Sequence, residues 1–136
     1  MRVLAYLDFN GRCEEALEFY KKALGAKVPF MMRFGESPDP NSCAPGSENK
    51  IMHSSMQIGD SEVFASDGRC TGSSTFSGIS LTLSVKSDDE ADRYFKALSE
   101  GGQPFMPLTQ TFFASKFGVA TDKFGVTWMV INPTER

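Results

Sequence analysis

The chain contains a single histidine, His53, within the stretch KIMHSSMQIGD at residues 50–60. An imidazole changes its protonation state near neutral pH, so it can serve as a general base, a hydrogen-bonding group or a metal ligand. Three acidic residues, Asp60, Glu62 and Asp67, follow it closely in the chain. Acidic residues at turns and strand ends usually face solvent, so a carboxylate pair is the weaker interpretation and His53 is the acid–base candidate.

The three cysteines, Cys13, Cys43 and Cys70, are odd in number, widely spaced and without a C-x-x-C pattern. Disulfide frameworks and structural zinc sites need paired thiols, so neither is expected. Cys13 falls in the first turn of a predicted helix, where the helix dipole would lower the pKa of a thiol. A packing residue without chemistry is the simpler interpretation.

Composition excludes several classes of protein. The chain has 136 residues, of which 40% are hydrophobic and 23% charged, with a net charge of -3. No basic stripe is present, so no nucleic-acid partner is expected. No apolar run approaches the roughly 20 residues that cross a bilayer, and MRVLAYLDFNGR is too short and too acidic for a signal peptide. The sequence therefore predicts a cytoplasmic protein with no membrane partner.

Two similar series of elements follow each other along the chain. The first contains a strand at 2–9, the helix RCEEALEFYKKALG with Gly25 as its C-cap, the strand KVPFMMRF and a hairpin of KIMHSSMQI and SEVFAS. The Pro- and Ser-rich residues 35–49 form a long loop, functional or mobile. The second contains ISLTLSV, the helix KSDDEADRYFKALSEGG with Ser87 as its N-cap and Glu90 completing a capping box, then QPFMPL, KFGVATD and VTWMVIN.

A shift of 75 residues superimposes the two helices, bringing Glu15 and Ala16 onto Glu90 and Ala91. Each half then reads strand-helix-strand-strand-strand. The sequence predicts an α+β fold of tandem βαβββ modules in one domain, at about 1–67 and 77–136, joined by a loop. The helix covers one face of each sheet and leaves the other face to be covered by a second module or a second chain.

A duplicated βαβββ unit of this length resembles the vicinal oxygen chelate superfamily, which includes glyoxalase I, extradiol dioxygenases and bleomycin-binding proteins. ALEFYKKALGAKV resembles its first helix and following strand, and TDKFGVTWMVIN resembles its closing hairpin. YLDFNGRCEEALEFYKKALGA, IMHSSMQIGDSEVFASD and TFFASKFGVATDKFGVTWMV point to its PhnB-like branch. The resemblance implies the glyoxalase/bleomycin resistance fold, with sheets curled into a cup and helices outside.

Metal enzymes of the superfamily place up to four ligands on cup strands, so that the ion can chelate two substrate oxygens. Counting back fourteen residues from Phe19, as in the glyoxalase branch, reaches Ala5. The 75-residue repeat carries Ala5 to Ser80, and the other two positions fall on Ala65 or Ser66 and on Met129. Alanine and methionine offer no oxygen or nitrogen donor, and a lone serine is a weak one. The count predicts no metal and no cofactor.

His53 remains the only catalytic candidate, and strand alternation leaves open whether it points into the cup or is a partly exposed residue without a role. Phe112 and Phe113 beside Lys116 would form the mouth of an apolar pocket with a cation, or else a dimer contact or core. The ligand-pocket candidates are Ala5, Leu7, His53, Ser80, Thr82, Phe112, Phe113, Lys116 and Met129.

We interpret the sequence as a metal-free small-molecule binding protein. One alternative is a metal-dependent lyase or dioxygenase with displaced ligands. Another is a methyltransferase linked to ubiquinone, a label that families of this type sometimes carry, although no Gly-rich strand-to-helix turn for an adenosyl cofactor is present. A regulatory dimer without a ligand is a third. The resemblance implies a homodimer, and it leaves enzymatic activity open.

Overall fold

The computed structural model describes residues 1–39, 45–68 and 75–134. The chain divides into two compact units, Met1–Ser74 and Thr75–Arg136. Cys43 and Cys70 lie outside the described residues, as does part of the predicted loop at 35–49. Among the described residues, no helix is long and apolar enough to cross a bilayer.

The first unit is a four-stranded sheet with one long helix. Its elements are β1 (Tyr6–Asp8), α1 (Cys13–Leu24), β2 (Lys27–Arg33), a 3-10 turn (Phe34–Glu36), β3 (Ile51–Ile58) and β4 (Ser61–Ser66). The strand order is β1-β4-β3-β2, with β1 parallel to β4 and the other pairs antiparallel. The strand predicted at 2–9 is therefore shorter, since only Tyr6–Asp8 is ladder-bonded.

The second unit repeats the same plan. Its elements are β5 (Leu81–Ser84), α2 (Asp88–Ser99), β6 (Gln103–Thr109), β7 (Ala114–Thr121) and β8 (Thr127–Pro133), in the sheet order β5-β8-β7-β6. The predicted tandem βαβββ architecture is confirmed. Pro104 and Pro107 fit within β6 because an edge strand needs ladder hydrogen bonds on one side only.

The helix ends follow the predicted signals. Gly25 ends α1 with φ 67, and its N–H donates to the carbonyl of Lys21. The Ser87 hydroxyl accepts a hydrogen bond from the Glu90 N–H at 3.1 Å and so caps α2. Arg33 forms an ion pair with Glu14, which ties β2 to the first turn of α1.

Each sheet has one face covered by its own helix and one face turned away from it, here called the helix-free face. In the first sheet, Leu7, Ala65 and Ser54 are register neighbours, and all three are buried, with Ser54 close to the Cys13 thiol of α1. That row therefore faces the helix. Because side chains alternate along a strand, Tyr6 and Phe64 lie on the helix-free face.

The two units align with different offsets in strand and helix. Phe9 N–H donates to the Ser66 carbonyl in the first unit, and Val85 N–H donates to the Ile131 carbonyl in the second, both at 2.8 Å. Phe9 and Val85 are thus equivalent at an offset of 76, whereas the helices align at an offset of 75. The loop between β1 and α1 is therefore one residue longer than the loop between β5 and α2. The mapping of Ala5 onto Ser80 is therefore wrong by one residue, and Ala5 corresponds to Leu81.

Candidate functional site

A polar contact on the helix-free face of the first sheet joins β1 to β3. The Tyr6 hydroxyl lies 3.0 Å from Nδ1 of His53. The two residues come from opposite sides of β4, which runs between their strands. His53 therefore lies on the helix-free face, and one of its two ring nitrogens is held by a phenol.

Aromatic rings surround this imidazole. The centroid of the His53 ring lies 5.0 Å from that of Phe64, 5.6 Å from that of Tyr6 and 5.9 Å from that of Phe30. Such separations are typical of favourable aromatic pairs. Tyr6 is 52% exposed and Phe30 46% exposed, so the cluster retains bare ring surface that a ligand can cover.

A carboxylate network borders the cluster. The Ser55 hydroxyl donates to Glu62 at 2.6 Å, and the Arg2 guanidinium donates to the other carboxylate oxygen at 3.0 Å. The hydrogen bonds from Ser55 and Arg2 hold the pKa of Glu62 below its ordinary value, and the charge of His53 adds to the effect. Glu62 therefore stays ionised at the edge of the rings, with Arg2 as its counter-charge.

The register exposes a difference between the two units. One row across the first helix-free face runs Tyr6, Phe64, Ser55, Phe30. The equivalent row in the second unit runs Thr82, Met129, Val119, Met106. His53 stands two residues before Ser55, where the second unit has Phe117 two residues before Val119. Hydrogen-bonding and aromatic character is thus concentrated in the first unit.

Some predicted pocket residues lie elsewhere. Leu7 is 6% exposed and faces α1 together with Ala65, so it belongs to the core of the first unit. Lys116 forms an ion pair with Asp92 of α2 at 3.2 Å, which holds its charge on the helix-facing side. Phe113 packs against Phe117, and β7 alternation sends Lys116 to the face opposite Phe117, so the predicted combination of Phe112, Phe113 and Lys116 is not assembled.

The remaining candidates have clear positions. Thr82 and Met129 are register partners on the helix-free face of the second sheet. The rings of Phe112 and Phe113 are 5.1 Å apart, and Phe113 contacts Phe117 at 5.3 Å. Ala5 and Ser80 precede their strands, and the Ala5 carbonyl accepts a hydrogen bond from Phe64 N–H.

The strand register shows which faces the counted positions occupy. Ala65 faces the helix, so the residue opposite Tyr6 on the helix-free face is Phe64. Tyr6 and Phe64 are then the counterparts of Thr82 and Met129. Across residues 1–39, 45–68 and 75–134, His, Cys, Asp and Glu side chains form no group of three able to hold a metal ion.

Cys13 and Asp67 form a buried polar pair under α1 and have a structural role. Burial raises the pKa of the Cys13 thiol to about 12, and the charge of Asp67 adds to the rise. Asp67 accepts hydrogen bonds from the N–H groups of Gly11, Cys13 and Ile51 at 2.6–2.8 Å. The expectation that the helix dipole lowers the pKa of Cys13 is wrong, because desolvation of the thiolate outweighs the dipole.

Tyr6 is the member of this polar and aromatic cluster that sequence reasoning missed. Its signal was present, since Leu7 and Phe9 are apolar residues spaced for the core and Tyr6 alternates with them. The ungapped count from Phe19 gives Ala5 instead, one residue away.

Comparison with known proteins identifies relatives over nearly the whole chain. Residues 1–131 match the family model described as 3-demethylubiquinone-9 3-methyltransferase. Protein PA1353 of Pseudomonas aeruginosa is 41% identical with a TM-score of 0.87, covering 98% of each chain. The PhnB protein of Bacillus cereus is 28% identical with a TM-score of 0.81, covering 97% of this chain and 99% of that one.

A more distant structure establishes the fold alone. A glyoxylase/bleomycin resistance protein/dioxygenase domain from Frankia is 15% identical with a TM-score of 0.67, covering 98% of this chain and 97% of that one. The predicted glyoxalase/bleomycin resistance fold is confirmed. The two sheets are four-stranded and mixed. They differ from the doubly wound parallel sheet that commonly carries nucleotide cofactors.

Proposed function

The chain belongs to the PhnB-like family, and from that premise we propose that it is a small-molecule binding protein whose ligand occupies the helix-free face of the first sheet. The observation that carries the proposal is the hydrogen bond between Tyr6 and His53 inside a cluster of partly exposed rings. Bare aromatic surface with a few placed polar groups is the usual composition of a small-molecule site. The second unit has no such combination at the equivalent positions.

We propose that binding needs no resident metal. A ligand on this face would meet the side chains of Tyr6, His53 and Phe64, among which only the imidazole is a strong neutral donor to a divalent ion. That imidazole already uses Nδ1 with Tyr6. The carboxylate of Glu62 at the edge of the cluster is already engaged by Ser55 and Arg2. The donor set therefore favours hydrogen bonding and stacking over chelation, and it disfavours the alternative of a metal-dependent lyase or dioxygenase.

The methyltransferase description is a family name and adds no support for that reaction. An adenosyl cofactor is commonly bound at the edge of a doubly wound parallel sheet with a Gly-rich first turn. The turn after β1 reads FNGRC, with Asn10 and Gly11 in left-handed conformations, and leads into a mixed sheet. A protein that binds a small molecule without transferring a methyl group fits the described residues better.

The single histidine makes a direct test possible. In protein labelled with nitrogen-15, the imidazole gives one set of ring signals that needs no assignment by mutagenesis. A panel of aromatic carbonyl compounds is titrated into the protein while these signals and the melting temperature are followed. Binding at the proposed face shifts the His53 signals in a saturable way and raises the melting temperature.

Two variants test whether the rise in melting temperature comes from binding at the proposed face. His53→Phe copies the residue that the second unit has at this place, Phe117, and removes the polar group while keeping an aromatic ring. Gln57→Phe adds a ring on the same strand and face, four residues away, and is the matched control. We expect His53→Phe to lose the thermal shift and Gln57→Phe to keep it. A ligand that raises the melting temperature of both variants as much as that of the original protein would contradict the proposed site.

We also propose a cytoplasmic homodimer. Large apolar side chains in the second unit are open to solvent, including the adjacent rings of Phe112 at 96% and Phe113 at 39% exposed, whose centroids lie 5.1 Å apart. Contiguous exposed apolar surface commonly marks an interface. Light scattering coupled to gel filtration measures the mass in solution, and a mass near the 15.0 kDa of one chain at all concentrations would contradict the dimer.

A further inference from the structure

We infer that Tyr6 is a positioning residue that fixes the His53 tautomer, so that the face selects an uncharged planar compound carrying a hydrogen-bond acceptor. This inference deepens the proposed function and rests on it, since it names the ligand class of the same site. Its basis is the contact of the Tyr6 hydroxyl with one named ring nitrogen of His53.

The hydrogen bond determines which nitrogen carries the proton. A phenol is a strong donor and a weak acceptor because its oxygen lone pair is delocalised into the ring, while the unprotonated nitrogen of a neutral imidazole is a strong acceptor. Tyr6 therefore donates to Nδ1, and in the neutral imidazole the proton resides on Nε2. Among the described residues, Nε2 has no hydrogen-bond partner. His53 thus offers a donor, and the complementary ligand group is an acceptor such as a carbonyl oxygen.

The rings and charges narrow the class further. Phe30, Phe64 and Tyr6 present flat apolar surfaces around the imidazole, which favours a planar ligand. Glu62 is close enough to His53 for an electrostatic interaction, and Asp8 lies on the same face, two residues after Tyr6. Arg2 is already paired with Glu62, and Lys27 lies beside Gln57, away from His53. A ligand carboxylate at Nε2 would therefore meet negative charge without a free neighbouring cation.

The tautomer is tested first, without any ligand. Nitrogen-15 correlation spectra of the single histidine distinguish a protonated Nε2 from a protonated Nδ1 at a pH where the ring is neutral. We expect the Nε2–H form to dominate in the original protein and the two forms to mix in Tyr6→Phe, which keeps the ring and removes the hydroxyl. Thr82→Val, a change at the equivalent place in the second unit, is the control and leaves the spectrum unchanged. A dominant Nδ1–H form would overturn the inference.

Three probes then test the ligand class: benzamide, benzoate and benzylamine. Each has the same ring, and they carry a neutral acceptor, an anionic acceptor and a cationic donor. We expect saturable His53 shifts with benzamide, binding about fivefold weaker for benzoate because of like-charge repulsion, and no saturation with benzylamine. Tyr6→Phe should weaken the binding of benzamide, because part of the imidazole then presents an unprotonated Nε2 that cannot donate to the carbonyl.

The outcomes distinguish failure of the ligand class or of the Tyr6 role from failure of the proposed binding function. Binding of benzoate or benzylamine at least as tight as that of benzamide overturns the ligand class and leaves the binding function standing. Absence of saturable shifts with all three probes overturns both the ligand class and the use of this face by small aromatic ligands. A Tyr6→Phe variant with an unchanged tautomer and an unchanged affinity for benzamide overturns the positioning role of Tyr6.

Discussion

Tyr6 and Thr82 occupy equivalent places in the two units, each on a strand that pairs with the last strand of its unit, yet only Tyr6 contacts a histidine. The Tyr6 hydroxyl lies 3.0 Å from His53 Nδ1, and the corresponding row of the second unit contains Thr82 and Met129 instead. The two sheets thus share one strand order, and the helix-free face of the first holds a polar and aromatic cluster that the equivalent positions of the second do not repeat.

The Tyr6–His53 contact should be measurable as a coupling energy. A double-mutant cycle of Tyr6→Phe and His53→Phe, read by urea unfolding, is expected to give an interaction energy of about 0.5–1.5 kcal/mol, the usual contribution of one hydrogen bond. Each single change should be mild because the cluster is partly exposed. The control cycle pairs Tyr6→Phe with Gln57→Phe and should be additive. Additivity in both cycles would mean that the contact contributes nothing in solution.

The extent of sequence prediction differed between the fold and the site. Gly25 and Ser87 are local signals whose chemistry depends on near neighbours, so both helix ends were predicted correctly. The register of β1 depends on a loop that is one residue longer in the first unit, and no local signal reports such a length. One residue of error exchanges the two faces of a strand, which is why Leu7 was taken for a pocket residue and Tyr6 was missed.

Lys116 illustrates the other limit of sequence prediction. Its proximity in sequence to Phe112 and Phe113 suggested one pocket mouth. Phe113 instead packs against Phe117, and Phe117 and Lys116 point to opposite faces because they are neighbours in β7. The partner that fixes the lysine, Asp92, belongs to α2 and is distant in sequence. Contacts of this kind depend on the packing of helix against sheet and are not encoded in a local pattern.

Asp67 should be among the most sensitive polar positions in the first unit. Asp67 is 1% exposed, and its two oxygens accept hydrogen bonds from three backbone N–H groups. An asparagine retains one acceptor oxygen and turns an amide group towards an N–H, so Asp67→Asn is expected to cost about 2–4 kcal/mol in the free energy of unfolding. Asp60→Asn, in the exposed turn between β3 and β4, should cost less than about 0.5 kcal/mol. If Asp67→Asn and Asp60→Asn changed the urea midpoint equally, the hydrogen bonds to Asp67 would contribute nothing to stability.

Cys13 should be unreactive in the folded protein. The thiol is fully buried, and burial together with Asp67 raises its pKa to about 12, so almost no thiolate exists at pH 8. In a Cys43→Ser, Cys70→Ser background, alkylation by iodoacetamide is expected only at the rate at which the unit opens, and it becomes fast in urea. Rapid modification under native conditions would show that the thiol is accessible.

The raised pKa of Cys13 also predicts a loss of stability in alkaline solution. An unfolded thiol ionises near its ordinary pKa of about 8.5, whereas the folded thiol stays protonated until about pH 12. The stability that this group contributes is complete below the unfolded pKa and is lost as the pH rises towards the folded pKa, by up to about 1.4 kcal/mol per pH unit. Urea unfolding between pH 8 and pH 10 should show this slope in the same cysteine background, and Cys13→Ala should remove it.

Glu62 should produce the opposite pH dependence. Hydrogen bonds from Ser55 and Arg2 lower its pKa in the folded protein, so its contribution to stability is present above the ordinary carboxyl pKa and is lost as the pH falls through the lowered value. The difference in urea midpoint between the original protein and Glu62→Gln should therefore shrink as the pH falls from 6 to 3. Ser55→Ala removes the larger cause of the shift and should move this loss towards higher pH. A difference between the original protein and Glu62→Gln that stays constant over this range would show that the carboxylate is not held by Ser55 and Arg2 in solution.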